Sequence, residues 1–118
     1  MKTNNLIVDS FDKLPSPSYV CEEKLLEKNL ILLKRIQDEA DVNILLALKG
    51  FAMWSTFDLC KKYLKGCCAS GLHEAILAKE EFGGEVHTYS AAFKDDEIDE
   101  IISISNHVVF NSFSQLKR

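Results

Sequence analysis

Four short apolar segments at regular intervals are the feature that most restricts the fold of this chain. They begin at Val42, Cys67, Glu85 and His107, about 20 residues apart, and a stretch with the apolar spacing of an α-helix follows each of the first three. One strand and one helix together need about that length, and their alternation implies right-handed βαβ units with parallel strands. The sequence therefore predicts an α/β fold.

The same pattern places the elements along the chain. Helices are predicted from residue 22 and over 53–64, 72–82 and 95–104, and strands over 18–21, 42–48, 67–70, 85–89 and 107–110. Gly66 and Gly83 are the expected ends of two helices, because glycine suits the left-handed residue that closes a helix. Asn111 and Ser112 have the composition of a helix cap.

Two architectures accept this alternation, an open doubly wound sheet and a (β/α)8 barrel. A barrel needs about 250 residues, whereas this chain has 118. However, no GxGxxG loop follows the first strand, as it would in a dinucleotide-binding doubly wound sheet. Length alone favours the open sheet.

Composition restricts the partners. The net charge of −4 argues against a nucleic-acid partner, which calls for a basic surface. No apolar run approaches the roughly 20 residues that cross a bilayer, and the N-terminus does not resemble a secretory signal. The four cysteines lack metal-ligand spacing, so we expect free thiols in a cytoplasmic protein and no metal site.

Lys49 ends the first predicted strand, in the segment VNILLALKGF. Alternate strand residues share a face, so Leu46 and Leu48 would pack under the helices while Ala47 and Lys49 occupy the other face. Catalytic groups of (β/α)8 enzymes lie at this end of the strands. An amine in an apolar enclosure there can lose its proton and form a Schiff base with an aldehyde. An ordinary surface lysine at a strand end also explains the pattern and is the interpretation that periodicity alone favours, and the residues alone leave both interpretations open.

Four segments, in order, resemble one enzyme family. They are PSYVCEEKLLEKNL, NILLALKGF, CCASGLHEA and HTYSAAFKDDEI. Together they are similar to the pyridoxal-phosphate-dependent decarboxylases of the alanine-racemase-like fold, over residues 14–116. Phe51 stands where many relatives have asparagine, and ALKGFA resembles the branch that acts on carboxynorspermidine and carboxyspermidine.

The resemblance implies a fold and an assembly. The chain would be the N-terminal half of a pyridoxal-phosphate-binding (β/α)8 barrel, truncated before the barrel closes and before the β-domain. Residues 1–21 would be an extended arm that joins the C-terminal β-domain, and residues 22–118 the first part of the barrel. The full-length protein would be a homodimer.

The resemblance also implies a site. Lys49 corresponds to the catalytic lysine that holds pyridoxal phosphate. Ser70 belongs to the segment beneath the cofactor, and Tyr89 corresponds to an aromatic residue near it. The glutamate that the family carries in the loop after the second strand aligns with His73 or with Glu74, and we take His73 as the cofactor-binding candidate.

The implied reaction is pyridoxal-phosphate-dependent decarboxylation of carboxynorspermidine or carboxyspermidine to norspermidine or spermidine, a step of polyamine biosynthesis. The substrate would thus be a small carboxylated polyamine. A first alternative is a related decarboxylase that acts on diaminopimelate, ornithine or arginine. Two others are a non-catalytic decarboxylase homologue and a single-domain pyridoxal-phosphate carrier.

Overall fold

The computed structural model describes residues 12–117. Within this range, short strands alternate with helices. The elements are α1 (Glu23–Ala40), β1 (Leu45–Ala47), a 3-10 turn (Trp54–Thr56), α2 (Phe57–Cys60), β2 (Gly66–Ala69), α3 (Leu72–Leu77) with a π-helical extension (Ala78–Phe82), β3 (Glu85–Tyr89), α4 (Ile98–Ile104), β4 (His107–Val109) and α5 (Phe113–Leu116). None of the helices in this part of the chain has the length and apolarity needed to span a membrane.

The four strands form one parallel sheet in the order β1-β2-β3-β4. Each strand therefore pairs with the next one along the chain. A doubly wound sheet reverses its strand order near the middle, whereas a (β/α)8 barrel does not. The predicted α/β class with parallel strands is confirmed, and the strand order is that of a barrel segment.

The core lies between one face of the sheet and the helices. Cys67, Val86 and Thr88 are fully buried on this packed face, whereas Cys68 and His87, which alternate with them, are only half-buried. The alternation follows from the period of two in a strand. The helices therefore cover one face, and the second face, which we call the open face, is not covered by residues 12–117.

The first strand is shorter than predicted. Asp41 adopts the left-handed conformation, with φ 52°, and the Val42 N–H donates to the Gln37 carbonyl at 3.2 Å, so these residues end α1. An Asp tolerates this conformation better than most residues. At its other end the pairing continues beyond β1, because the Leu48 N–H donates to the Cys68 carbonyl at 3.1 Å.

The second helix also ends early, at Cys60, and Gly66 is the first residue of β2. The prediction that Gly66 ends the second helix is therefore wrong. A Cβ at Gly66 would lie 1.9 Å from the Glu85 carbonyl oxygen. This position is glycine because two strand backbones approach closely there.

Other predicted boundaries had mixed outcomes. Gly83 closes the third helix as predicted, with φ 75° and its N–H donating to the Ala78 carbonyl at 3.0 Å. Ser112 caps α5 by accepting a hydrogen bond from the Gln115 N–H at 3.3 Å. The strand predicted at 18–21 is absent, since these residues pair with no strand among residues 12–117. The first half of the predicted arm, residues 1–11, lies outside the described residues, as does residue 118.

One buried side chain joins α1 to the sheet. Gln37 is 6% exposed. Its amide donates to the Tyr63 carbonyl at 2.8 Å and its side-chain oxygen accepts from the Ile44 N–H at 2.8 Å. The amide thus pairs two backbone groups that secondary structure leaves without partners, and it orients the chain as it enters β1.

Candidate functional site

The carboxyl ends of the parallel strands meet at one edge of the sheet. Ala47 and Cys68 are partners in the register of β1 and β2, and Lys49 and Ser70 each lie two residues further along. Tyr89 is the last residue of β3. The fold therefore brings three predicted site residues, Lys49, Ser70 and Tyr89, to the same edge.

Lys49 lies in a tight turn directly after β1. The Ala47 carbonyl closes the turn by accepting the N–H groups of Gly50, at 2.9 Å, and Phe51, at 3.0 Å. The Lys49 side chain is exposed. The apolar enclosure that would favour a neutral amine is thus not formed by residues 12–117, and the amine is accessible to a ligand.

An apolar groove of about 640 Å³ begins immediately after Lys49. It is lined by Tyr19 and by residues 50–55, which include Phe51 and Trp54. Trp54 is 65% exposed, so its ring is available to cover a ligand. Sequence reasoning missed the groove, because it forms only where the arm around Tyr19 returns to the turn after β1.

The loop after β2 is held by a carboxylate. Glu74 Oε2 accepts the Ser70 backbone N–H at 2.7 Å, which fixes the backbone at the predicted Ser70 position. His73 is exposed on α3. Of the two residues that could align with the family's glutamate, Glu74 is the one in contact with this loop.

Tyr89 is 42% exposed, and its hydroxyl donates to Asn111 Oδ1 at 3.4 Å. The loops behind it are packed together by the rings of Phe93 and Phe110, edge to face at 5.6 Å. The sequence indicated Asn111 only as part of a helix cap. Its contact with Tyr89 depends on the pairing of β3 with β4, which no local motif reveals.

Below this edge the packed face offers no reactive thiol. Cys67 is fully buried, and burial, together with the neighbouring Cys60 and Cys68, raises the pKa of its thiol to about 12. Burial also raises the pKa of Cys60. Since the thiolate is the nucleophile, both cysteines have structural roles at neutral pH. All four cysteines of the chain are free, as predicted.

Comparison with known proteins shows that the chain is similar to one segment of several decarboxylases. It is 48% identical over 108 residues to a carboxynorspermidine/carboxyspermidine decarboxylase of Campylobacter jejuni, covering 92% of this chain and 28% of that protein. It is 46% identical over 105 residues to a carboxyaminopropylagmatine decarboxylase of Synechocystis, covering 89% of this chain and 27% of that protein. No protein-family model matches the chain.

A solved structure agrees. The crystal structure of a carboxynorspermidine decarboxylase from Campylobacter jejuni, in complex with norspermidine, superposes with a TM-score of 0.85 at 49% sequence identity. The match covers 88% of this chain and 28% of that one. The chain thus spans little more than a quarter of the length of these relatives. By sequence and by fold, it is homologous to one segment of the carboxynorspermidine/carboxyspermidine decarboxylases, as the sequence analysis predicted.

Proposed function

We propose that this chain is part of a pyridoxal-phosphate-dependent decarboxylase of carboxylated polyamines, with Lys49 as its cofactor-holding lysine. The observation that carries the proposal is the position of Lys49. In a chain 48% identical to a carboxynorspermidine/carboxyspermidine decarboxylase, its amine is exposed at the carboxyl edge of the sheet, beside an apolar groove. Catalytic groups of (β/α)8 enzymes lie at this edge.

The residues present fit such a cofactor. A primary amine can hold an aldehyde covalently, and among residues 12–117 no hydrogen bond or ion pair occupies the Lys49 amine. When bound, pyridoxal phosphate supplies an electron sink for the electrons that a departing carboxylate leaves behind. The chain's own part is to position the group: Lys49 would tether it, and Ser70 and Tyr89 lie at the carboxyl ends of β2 and β3, the next two strands of the sheet.

The groove after Lys49 has a role in the same proposal. Phe51 and Trp54 line it, so their rings form an apolar wall beside the amine from which a bound ligand would displace water. Exclusion of water strengthens electrostatic interactions at a reacting centre and suppresses side reactions. The turn closed by the Ala47 carbonyl fixes the position of Lys49 relative to this groove.

The substrate class is a carboxylated polyamine. The relatives support carboxynorspermidine and carboxyspermidine as first candidates. Carboxyaminopropylagmatine is a second candidate, because a relative named for its decarboxylation is almost as similar, at 46% identity. Diaminopimelate, ornithine and arginine are not favoured by these relatives.

Borohydride reduction of the complete gene product, followed by peptide mass mapping, tests the tether. We expect a phosphopyridoxyl group on the peptide that carries Lys49. Lys49→Ala should abolish the label and the decarboxylation, whereas Lys65→Ala, which changes an exposed lysine at the amino end of β2, should preserve both. A label that persists in Lys49→Ala, or no label after addition of pyridoxal phosphate, would contradict the assignment.

A second assay addresses the substrate. The purified gene product is incubated separately with carboxynorspermidine, carboxyspermidine, carboxyaminopropylagmatine and diaminopimelate, and the decarboxylated products are measured by mass spectrometry. We expect a higher kcat/KM for at least one of the three carboxylated polyamines than for diaminopimelate. A preference for diaminopimelate would reject the substrate class but leave the role of Lys49 intact.

The same proposal includes a closed (β/α)8 barrel, a homodimer and a cytoplasmic location for the full-length protein. The sequential order of the four parallel strands supports the barrel. The homodimer rests on the family resemblance, and the cytoplasmic location rests on the four free cysteines. Light scattering of the purified gene product and fractionation of its native cells measure these two properties directly.

A further inference from the structure

Three side chains with metal-binding atoms share the open face of the sheet. Glu85 and His87 are two residues apart on β3 and therefore point to the same side. His107 is the register partner of His87 on β4. The sequence analysis predicted no metal site, because the chain contains no standard ligand spacing; this cluster arises from strand register, which spacing along the chain does not reveal.

The ligand atoms converge. His87 Nε2 lies 3.0 Å from Glu85 Oε2, and the rings of His87 and His107 are 4.3 Å apart between centroids, tilted by 43°. One ligand atom from each of the three residues can be chosen so that all lie within 4.8 Å of one another. In a tetrahedral zinc site with bonds of 2.0–2.1 Å, ligand atoms are roughly 3.3 Å apart. Small side-chain rotations would therefore bring the three ligand atoms to the spacing of a zinc site.

The surroundings suit an ion. Among residues 12–117, Glu85 and His87 are half-buried and His107 is exposed, so no side chain of this segment covers the ligand atoms; in a closed barrel the open face, and the site with it, would line the interior. Two imidazoles and one carboxylate are a ligand set that Zn²⁺ and similar divalent ions accept, with water in the fourth position.

We propose that Glu85, His87 and His107 form a binding site for a divalent transition-metal ion, with Zn²⁺ as the best fit. The site lies about 7 Å along β3 from Tyr89, towards the amino ends of the strands. A bound ion would connect β3 to β4 through side chains and stabilise the folded chain by mass action. The proposal is independent of the proposed decarboxylase function, because its test measures metal binding alone.

The test uses the complete gene product, freed of metal by chelation, and titrates it with Co²⁺ as a spectroscopic substitute for Zn²⁺. We expect a visible absorption band of four-coordinate cobalt that saturates at one equivalent and is displaced by Zn²⁺. His107→Gln and Glu85→Gln each remove one ligand, and each should weaken binding by at least about 10-fold. His73→Ala, which removes a histidine outside the cluster, should bind as the unmodified protein does.

His107 is the most useful position because it lies on the open face, away from the core between the sheet and the helices; circular dichroism verifies the fold of each variant. The absence of a cobalt band in the unmodified protein would overturn the proposal. Equal affinities in His107→Gln and in the unmodified protein would overturn it too. Cobalt spectra with thiolate charge-transfer bands would also overturn the proposal, since they would show that cysteines bind the metal.

Discussion

Cys67 is buried on the packed face. Because the fold raises the pKa of its thiol, the stability of the fold should decrease as the pH rises through the alkaline range. The ordinary pKa of the thiol is 9.0 and its pKa in the fold is about 12. The unfolded chain therefore loses this proton first as the pH rises. The contribution of Cys67 to stability is complete below pH 9 and is lost between pH 9 and about 12.

We accordingly expect Cys67→Ala to be less sensitive to alkaline pH than the unmodified protein. Urea midpoints measured from pH 8 to pH 11 should decrease less steeply in the variant, and equal slopes would contradict the prediction. Accessibility provides a second measurement: at neutral pH, alkylation should modify the half-buried Cys68 well before Cys67, which is fully buried.

Gly66 is a second residue whose replacement should have a large effect. A Cβ at this position would lie 1.9 Å from the Glu85 carbonyl oxygen, a backbone atom that cannot move without separating β2 from β3. Gly66→Ala should therefore reduce the apparent free energy of unfolding by about 2–4 kcal/mol. Gly71→Ala is the matched control, because a Cβ there meets no heavy atom within 4 Å. Similar urea midpoints for the two variants would show that the close approach is relieved at low cost.

The attachment of α1 to β1 depends on the amide of Gln37. Gln37→Leu preserves the volume but leaves the Tyr63 carbonyl and the Ile44 N–H without their partner. Because unpaired buried polar groups are costly, we expect a loss of about 2–3 kcal/mol of stability. Lys28→Leu makes a comparable change on the exposed side of the same helix and should alter stability by less than about 0.5 kcal/mol. If thermal unfolding ranks the two variants equally, the hydrogen bonds of Gln37 do not stabilise the joint.

The elements were predictable where one local signal acts alone. The strand over 85–89 and the helix end at Gly83 follow directly from alternation and from glycine conformation. The start of β1 could not be predicted in this way, because the C-terminal turn of α1 uses the Val42 N–H that a longer strand would need. The π-helical extension of α3 has no apolar signature distinct from that of an α-helix.

The family resemblance predicts a site that includes Lys49, Ser70 and Tyr89, and strand direction explains why these three residues lie at one edge of the sheet. The contact between Tyr89 and Asn111 and the cluster of Glu85, His87 and His107 were not predictable. Both depend on which residue of β4 lies beside which residue of β3, and apolar patterns do not encode that register.

The open face and the sheet edges determine how the chain should behave when it is produced alone. Tyr89 and Val109 expose apolar surface on the open face, and β1 and β4 each lack a second strand partner among residues 12–117. Unpaired strand edges are templates for association with other chains. We expect the isolated 118-residue chain to self-associate, whereas the complete gene product elutes as one defined species. Size-exclusion chromatography with light scattering measures both, and a monodisperse monomer of the isolated chain would contradict this expectation.

The sequential strand order has a consequence for how the protein is made. Each strand pairs with the strand synthesised just before it, so no later segment has to be inserted between two that have already paired. A nascent chain can therefore add one strand and its helix at a time as it leaves the ribosome, since domains fold from the N-terminus during synthesis. The edge of β1 is the exception: it is the first edge to form, and none of the strands formed by residues 12–117 covers it.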